Sequence, residues 1–157
     1  MLLNFKRFVL ELGGKNPFIV LKDADLDYAV DCAAFGIYMH QGQVCMASSR
    51  ILVEDPVYDE FRAKFVAKTR TIKVGDPRDP STVIGPIMRK SHSSILRVKD
   101  ADHALQVAND TSYGLSSSVM TRDIDTALKF AEQLEAGMVH INDCTLHDEP
   151  TAPFGGV

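Results

Sequence analysis

The sequence has 157 residues, 45% of them apolar and 24% charged, the mix of one soluble globular domain rather than a disordered tail. Lys and Arg number 17 against 21 Asp and Glu, a net charge of −4, so no basic face for nucleic acid is implied. Three cysteines (Cys32, Cys45, Cys144) without a C-x-x-C pair argue against a disulfide framework or a zinc site and suit a reducing, cytoplasmic compartment. The apolar stretch near Met1 is short and already carries Glu11, which fits neither a signal peptide nor a membrane span.

Arg7 to Leu12 reads as a short strand entering the turn Gly13-Gly14-Lys15-Asn16-Pro17, and Phe18 to Leu21 as a second strand. Asp23 or Asp25 can cap the helix that follows, because a short carboxylate accepts from free backbone N–H groups. Its buried face is predicted to be Leu26, Ala29, Val30, Ala33 and Ile37, with a stop near Gln41-Gly42. Ser49 to Val53 is a strand, and Pro56 suits the first turn of a helix striped by Val57, Phe61, Phe65 and Ile72. Turn formers alone occupy Gly75 to Thr82, an exposed loop.

From Ser94 the pattern is strand, helix, strand, helix, strand. Asp100 caps a helix with Ala101, Ala104, Leu105 and Ala108 on one side, and Ser117 to Met120 is a strand. Ile124, Ala127, Leu128, Ala131 and Leu134 stripe the next helix, Gly137 ends it, and Met138 to Ile141 is the last strand. Strands alternating with helices predict an α/β fold: a largely parallel sheet flanked by helices.

Two residues stand out chemically. Glu11 is a carboxylate in an apolar strand followed by two glycines; burial would favour its neutral form and make it a general base, while an edge strand would simply turn it to solvent. Cys45 follows a helix on a glycine-containing loop, where a thiol can act as a nucleophile or sit as an inert half-buried group. Cys32, by contrast, lies mid-helix among alanines as core. His40 is either a partner for Cys45 or a cation at a helix C-terminus. His140, Asp143, His147, Asp148 and Glu149 match no zinc spacing and read as a polar loop. No G-x-G-x-x-G and no G-x-x-x-x-G-K-[ST] occurs, so the sequence has no phosphate-cradling loop of its own.

Leu10-Glu11-Leu12-Gly13-Gly14-Lys15-Asn16-Pro17 and Gly42-Gln43-Val44-Cys45, in that order, resemble the two active-site signatures of the aldehyde dehydrogenase superfamily. Asn109 to Ser116, Gly137 to Asn142 and Pro153-Phe154-Gly155-Gly156 resemble further segments of its catalytic domain. His40 to Gln43 and His147 to Pro150 resemble the benzaldehyde, salicylaldehyde and vanillin dehydrogenase branch. The resemblance implies that Cys45 attacks an aldehyde, aromatic in this branch, and that the thiohemiacetal passes a hydride to NAD or NADP. Glu11 then activates the water that hydrolyses the thioester to a carboxylic acid. It further places the Cys45 N–H in the oxyanion hole, Leu12 and Gly13 beside the cofactor, and Phe154 on the substrate channel.

Against that family, residues 1–13 correspond to the last strand of a dinucleotide-binding domain otherwise missing, and 14–157 to the catalytic domain. An internal deletion is expected near 90–95, where Arg89-Lys90-Ser91-His92-Ser93 runs almost directly into Ile95. The resemblance thus implies a twice-truncated enzyme whose cofactor site is largely gone and whose unpaired sheet edge favours association or a homo-oligomer. A non-catalytic association module and a residual thiol esterase are the alternative functions.

Overall fold

The computed structural model describes residues 7–88 and 93–157. Five strands form one parallel sheet: β1 (Asn16–Val20), β2 (Ser48–Glu54), β3 (Ser94–Val98), β4 (Ser116–Met120) and β5 (Met138–Ile141). Its order is β3-β2-β1-β4-β5, with every adjacent pair parallel. Four helices connect them: α1 (Leu26–Tyr38), α2 (Asp55–Arg70), α3 (Ala101–Asn109) and α4 (Ile124–Gln133). The predicted α/β class with a parallel sheet and flanking helices is borne out.

The side-chain alternation of the central strands makes two cores, since successive residues of a strand face opposite sides. Phe18 and Val20 of β1, with Ile51 and Val53 of β2, face α1 and α2 and pack on Ala29, Val30, Ala33, Phe61 and Phe65. Ile19 and Leu52 face the other way, against Ala104, Ala108, Phe130 and Leu134 of the α3–α4 side. All five β1 residues are buried, the near-continuous apolar run of a strand covered on both faces. At the β3 edge, Arg97 bonds Asp55 and Asp59 of α2 and lies 4.2 Å over the Tyr58 ring. That ties the outermost strand to the helix packed on it.

Helix starts follow the predicted chemistry. Asp25, Asp100 and Asp123 cap α1, α3 and α4, each carboxylate accepting from the backbone N–H three residues on. Asp23 caps no helix and instead accepts from the Thr121 hydroxyl and from the N–H groups of Arg122 and Asp123, joining the ends of β1 and β4.

Three expectations are corrected. Arg7 to Leu12 forms no strand; the segment is exposed and without regular structure, because no strand among the described residues lies beside it to complete its ladder. The stripe of α4 is rotated: Ala127, Phe130 and Leu134 are buried, whereas Ile124, Leu128 and Ala131 are exposed. Two apolar stripes compete on this helix, and the one carrying Phe130, the larger payload, faces the sheet. Ile72 falls beyond the end of α2 and belongs to no helical stripe. The junction expected within Arg89 to His92 lies outside the described residues.

The rotation of α4 is open to a direct check. Phe130→Ala should cost about 3–5 kcal/mol, the usual loss for a buried aromatic, and Leu128→Ala within about 0.5 kcal/mol. Urea unfolding of the two variants measures both, and equal losses would return the helix to the predicted face.

Candidate active site

The candidate nucleophile is delivered by an unusual exit from α1. After Tyr38 the chain makes a 3₁₀ turn, Met39–Gly42, in which His40 (φ 47°), Gln41 (φ 58°) and Gly42 (φ 70°) are all left-handed. Only the glycine holds that conformation without penalty; the two others cost of order 1–3 kcal/mol each. The reversal leads into a tight turn closed by the Ala47 N–H donating to the Val44 carbonyl at 3.0 Å, with Cys45 in its second position. Cys45 is half-buried, whereas Cys32 and Cys144 are buried. Burial pushes both of those thiols above their ordinary range.

A buried polar network holds this turn. Asn16, 1% exposed at the start of β1, donates from Nδ2 to the carbonyls of Cys45 (2.8 Å) and Ala47 (2.9 Å), and its Oδ1 accepts from the Ser116 N–H (3.0 Å). Thr145 donates to the Met46 carbonyl at 2.6 Å and shares a 2.8 Å bond with the Ser48 hydroxyl. Ser116 in turn donates from Oγ to the Thr145 carbonyl at 2.8 Å. Gly14 supplies the close approach: a Cβ there would overlap the Cys45 carbonyl oxygen. The two predicted motifs therefore do meet, through Gly14 and Asn16.

Arg50 steadies the other side of the glycine turn. It is 7% exposed and donates to the carbonyls of Lys15 (2.9 Å), Val107 (2.8 Å) and Ala108 (2.8 Å). The last two are free carbonyls at the end of α3, where a cation is favoured. Burial pulls the guanidinium below its ordinary value, partly offset by nearby Asp110.

Glu11 is exposed, so the carboxylate buried in an apolar strand is not what forms. It lines a cleft of about 330 Å³ together with Leu12, Gly13, Tyr113, Leu115 and Gly156. The C-terminal segment forms one wall, held by the Val157 N–H donating to the Gly114 carbonyl at 3.2 Å. Cys45 and Phe154 are not among the residues lining this cleft; Phe154 is half-buried beside it in sequence. His40 is exposed and makes no side-chain hydrogen bond to Cys45 among the described residues. His147 bonds Asp143 at 2.6 Å and Glu149 at 3.3 Å, and these bonds raise it above its ordinary value. No grouping among the described residues can hold a metal ion.

Asn16, Arg50, Ser48, Ser116 and Thr145 escaped the sequence reading. Asn16, Ser48 and Ser116 are polar residues at the first positions of strands, Arg50 lies within β2 and Thr145 in a loop, and spacing alone does not say what such residues hold.

A family model of the aldehyde dehydrogenase family matches residues 2–94 and 93–157. Benzaldehyde dehydrogenase of Bacillus subtilis is 34% identical over 205 aligned positions, covering 98% of this chain and 42% of that protein. The crystal structure of salicylaldehyde dehydrogenase from Pseudomonas putida G7, complexed with salicylaldehyde, superposes with a TM-score of 0.93 at 34% identity, covering 99% of this chain and 43% of its own. Glyceraldehyde-3-phosphate dehydrogenase from Methanocaldococcus jannaschii, complexed with NADP, gives 0.89 at 34% identity, covering 98% and 45%. The chain thus spans less than half the length of the relatives it matches.

The differing surroundings of the three thiols set an order of reactivity. Limiting iodoacetamide should label Cys45 ahead of Cys32 and Cys144, read by peptide mass mapping. Preferential labelling of Cys32 would sink the assignment of Cys45 as the reactive thiol.

Proposed function

Because the chain belongs to the aldehyde dehydrogenase family, we propose that it is the nucleophile-bearing catalytic part of an enzyme oxidising aldehydes, aromatic ones, to carboxylic acids. The observation that carries this is the Cys45 turn, locked by Asn16 and Gly14 of the motif that also contains Glu11. The benzaldehyde and salicylaldehyde dehydrogenases among its relatives support the aromatic class. No helix among the described residues is long and apolar enough to cross a membrane, and free thiols suit a cytoplasmic setting.

Cys45 Sγ attacks the carbonyl carbon as its proton leaves to solvent, and the carbonyl electrons move to oxygen. The Cys45 N–H donates no hydrogen bond among the described residues and can meet that oxygen. Once the carbon is at the thioester level, Glu11 takes a proton from water as the water adds, and the C–S bond breaks to return the thiolate.

NAD or NADP, bound by the solved relatives, is the hydride acceptor of such a reaction. The described residues do not fit a dinucleotide. The N-caps of all four α-helices among them are acidic (Asp25, Glu54, Asp100, Asp123), which repels a pyrophosphate instead of cradling it. Leu12 and Gly13, in the Glu11 cleft, remain the proposed contact with the nicotinamide side. No step is therefore assigned to a bound cofactor, and acyl transfer through Cys45, a thiol esterase activity, is the part these residues support by themselves.

The domain reading rests on two supports. The family match falls into two segments meeting at residues 93–94, and the alignment to the benzaldehyde dehydrogenase has more positions than the chain has residues. An apolar cavity of about 640 Å³, lined by Phe65, Ile72, Val74, Ile84 and Ile95, opens beside that junction. We place a shortened connection at 90–95, with residues 1–13 belonging to a dinucleotide-binding domain and residues 14–157 to the catalytic domain. The exposed side chains of Phe8, Val9, Leu10 and Leu12 favour association, with a second copy or a longer relative, as the second reading.

Two measurements test this. Glu11→Gln should slow hydrolysis of the Cys45 thioester at least about tenfold while leaving acylation by p-nitrophenyl acetate intact; equal loss of both steps would contradict the role. Three or four missing hydrogen bonds, at roughly 1 kcal/mol each, weaken binding by about a hundredfold or more. Calorimetric titration should accordingly find NAD bound no tighter than about 1 mM, and micromolar binding would overturn the mismatch.

A further inference from the structure

We propose that Asn16 is the positioning residue for the nucleophile: its side-chain amide fixes the Cys45 turn so that the thiol and the Cys45 N–H act together on one carbonyl group. The inference rests on the reading of Cys45 as nucleophile and adds the part that aims it.

The turn is held at both ends. On the N-terminal side, the Ala47 N–H pulls the Val44 carbonyl inward. In a planar trans peptide the N–H points opposite to the C=O, so the Cys45 N–H is turned outward. On the C-terminal side, both protons of the Asn16 amide are spent on the carbonyls of Cys45 and Ala47, while its oxygen accepts from Ser116. That pattern uses every donor and one acceptor site, and it fixes which end of the amide is nitrogen.

The network also ties the turn to the sheet. Asn16 opens β1, Ser48 opens β2 just after Ala47, and Ser116 opens β4. Three strands of the rigid core thereby set the angle at which Cys45 is presented. A shorter side chain cannot reach both carbonyls, and a carboxylate of the same shape would face them without donors.

Positioning and mere support of the loop differ in one measurable way. Attack on an ester builds charge on an oxygen that the Cys45 N–H must meet, whereas attack on iodoacetamide builds none. The test compares the two reactions on the full chain. p-Nitrophenyl acetate acylates Cys45 by forming the Sγ–carbonyl bond, expelling p-nitrophenolate and releasing the thiol proton to solvent. Limiting iodoacetamide is used separately, and labels at Cys32, Cys45 and Cys144 are read by peptide mass mapping.

Asn16→Ala should slow acylation of Cys45 by about tenfold or more, while alkylation of the same thiol stays within about twofold. Cys32 and Cys144, buried in the parent, stay unlabelled and report that the fold is intact. Where Asn16→Ala opens those two thiols, Asn16→Asp replaces it, keeping the shape while turning the amide donors into a carboxylate, with the same expected split. Acylation at the parent rate, or acylation and alkylation falling together, overturns the positioning role and leaves Cys45 as nucleophile. A parent chain that is alkylated but never acylated at Cys45 overturns the nucleophile reading, and this inference with it.

Discussion

In an all-parallel sheet every strand begins at the same end, so the first peptide groups of neighbouring strands arrive there together with no hairpin to pair them. Here that end holds the candidate site, and the side chain of Asn16 satisfies it. With 1% of its surface exposed, Asn16 bonds the loops entering β2 and β4 from the first residue of β1. The carbonyls it meets would otherwise be buried polar groups without partners, at a cost of about 1–3 kcal/mol each. The Cys45 turn, the Gly14 approach and the Thr145 brace all presuppose this arrangement.

The opposite end of the sheet explains why the chemistry is not found there. Open α/β sheets commonly hold ligands outside the carboxyl ends of their strands, at the point where strand order reverses. In this sheet the reversal lies between β1 and β4. That crevice is lined by the chain's own carboxylate, Asp23, which takes the Thr121 hydroxyl and the N–H groups of Arg122 and Asp123. The neighbouring helix starts are likewise satisfied by Asp25, Asp100 and Asp123. Self-capping stabilises the fold and, by the same charges, makes this end hostile to an anionic ligand.

The sequence was most legible where a local rule met no competitor. Alternating strands and helices, the caps at Asp25 and Asp100, and the buried run Phe18 to Val20 follow from periodicity and short-range hydrogen bonding. It misled where two answers satisfied the same rule: α4 carries two apolar stripes, and the packing of Phe130 against the sheet decides between them. Arg7 to Leu12 has strand composition but, among the described residues, no strand beside it, and a strand is a property of a pair. In the site, Glu11 and Cys45 were visible as unusual residue types in unusual places. Asn16, Arg50 and Thr145 were not, because each acts on a backbone carbonyl distant in sequence, which leaves no periodic trace.

The two candidate catalytic groups are supported in unequal ways. The Cys45 carbonyl is held by Asn16 of β1, which also accepts from the Ser116 N–H of β4, and Thr145 holds the next carbonyl, that of Met46, so the geometry of the turn persists for as long as the sheet does. Glu11 sits on a segment without regular structure, in a cleft whose far wall is the C-terminal Gly155 to Val157. On the proposed function the acylation half of the chemistry would be built into the rigid core, and the hydrolytic half would depend on how two irregular segments meet. Nearly every contact that orders the nucleophile comes from residues 14–16, 44–50, 116 and 145, with none drawn from the exposed segment 7–12. A chain that keeps this core keeps the Cys45 turn, and on the proposed reading the fate of an acyl group is decided at the cleft.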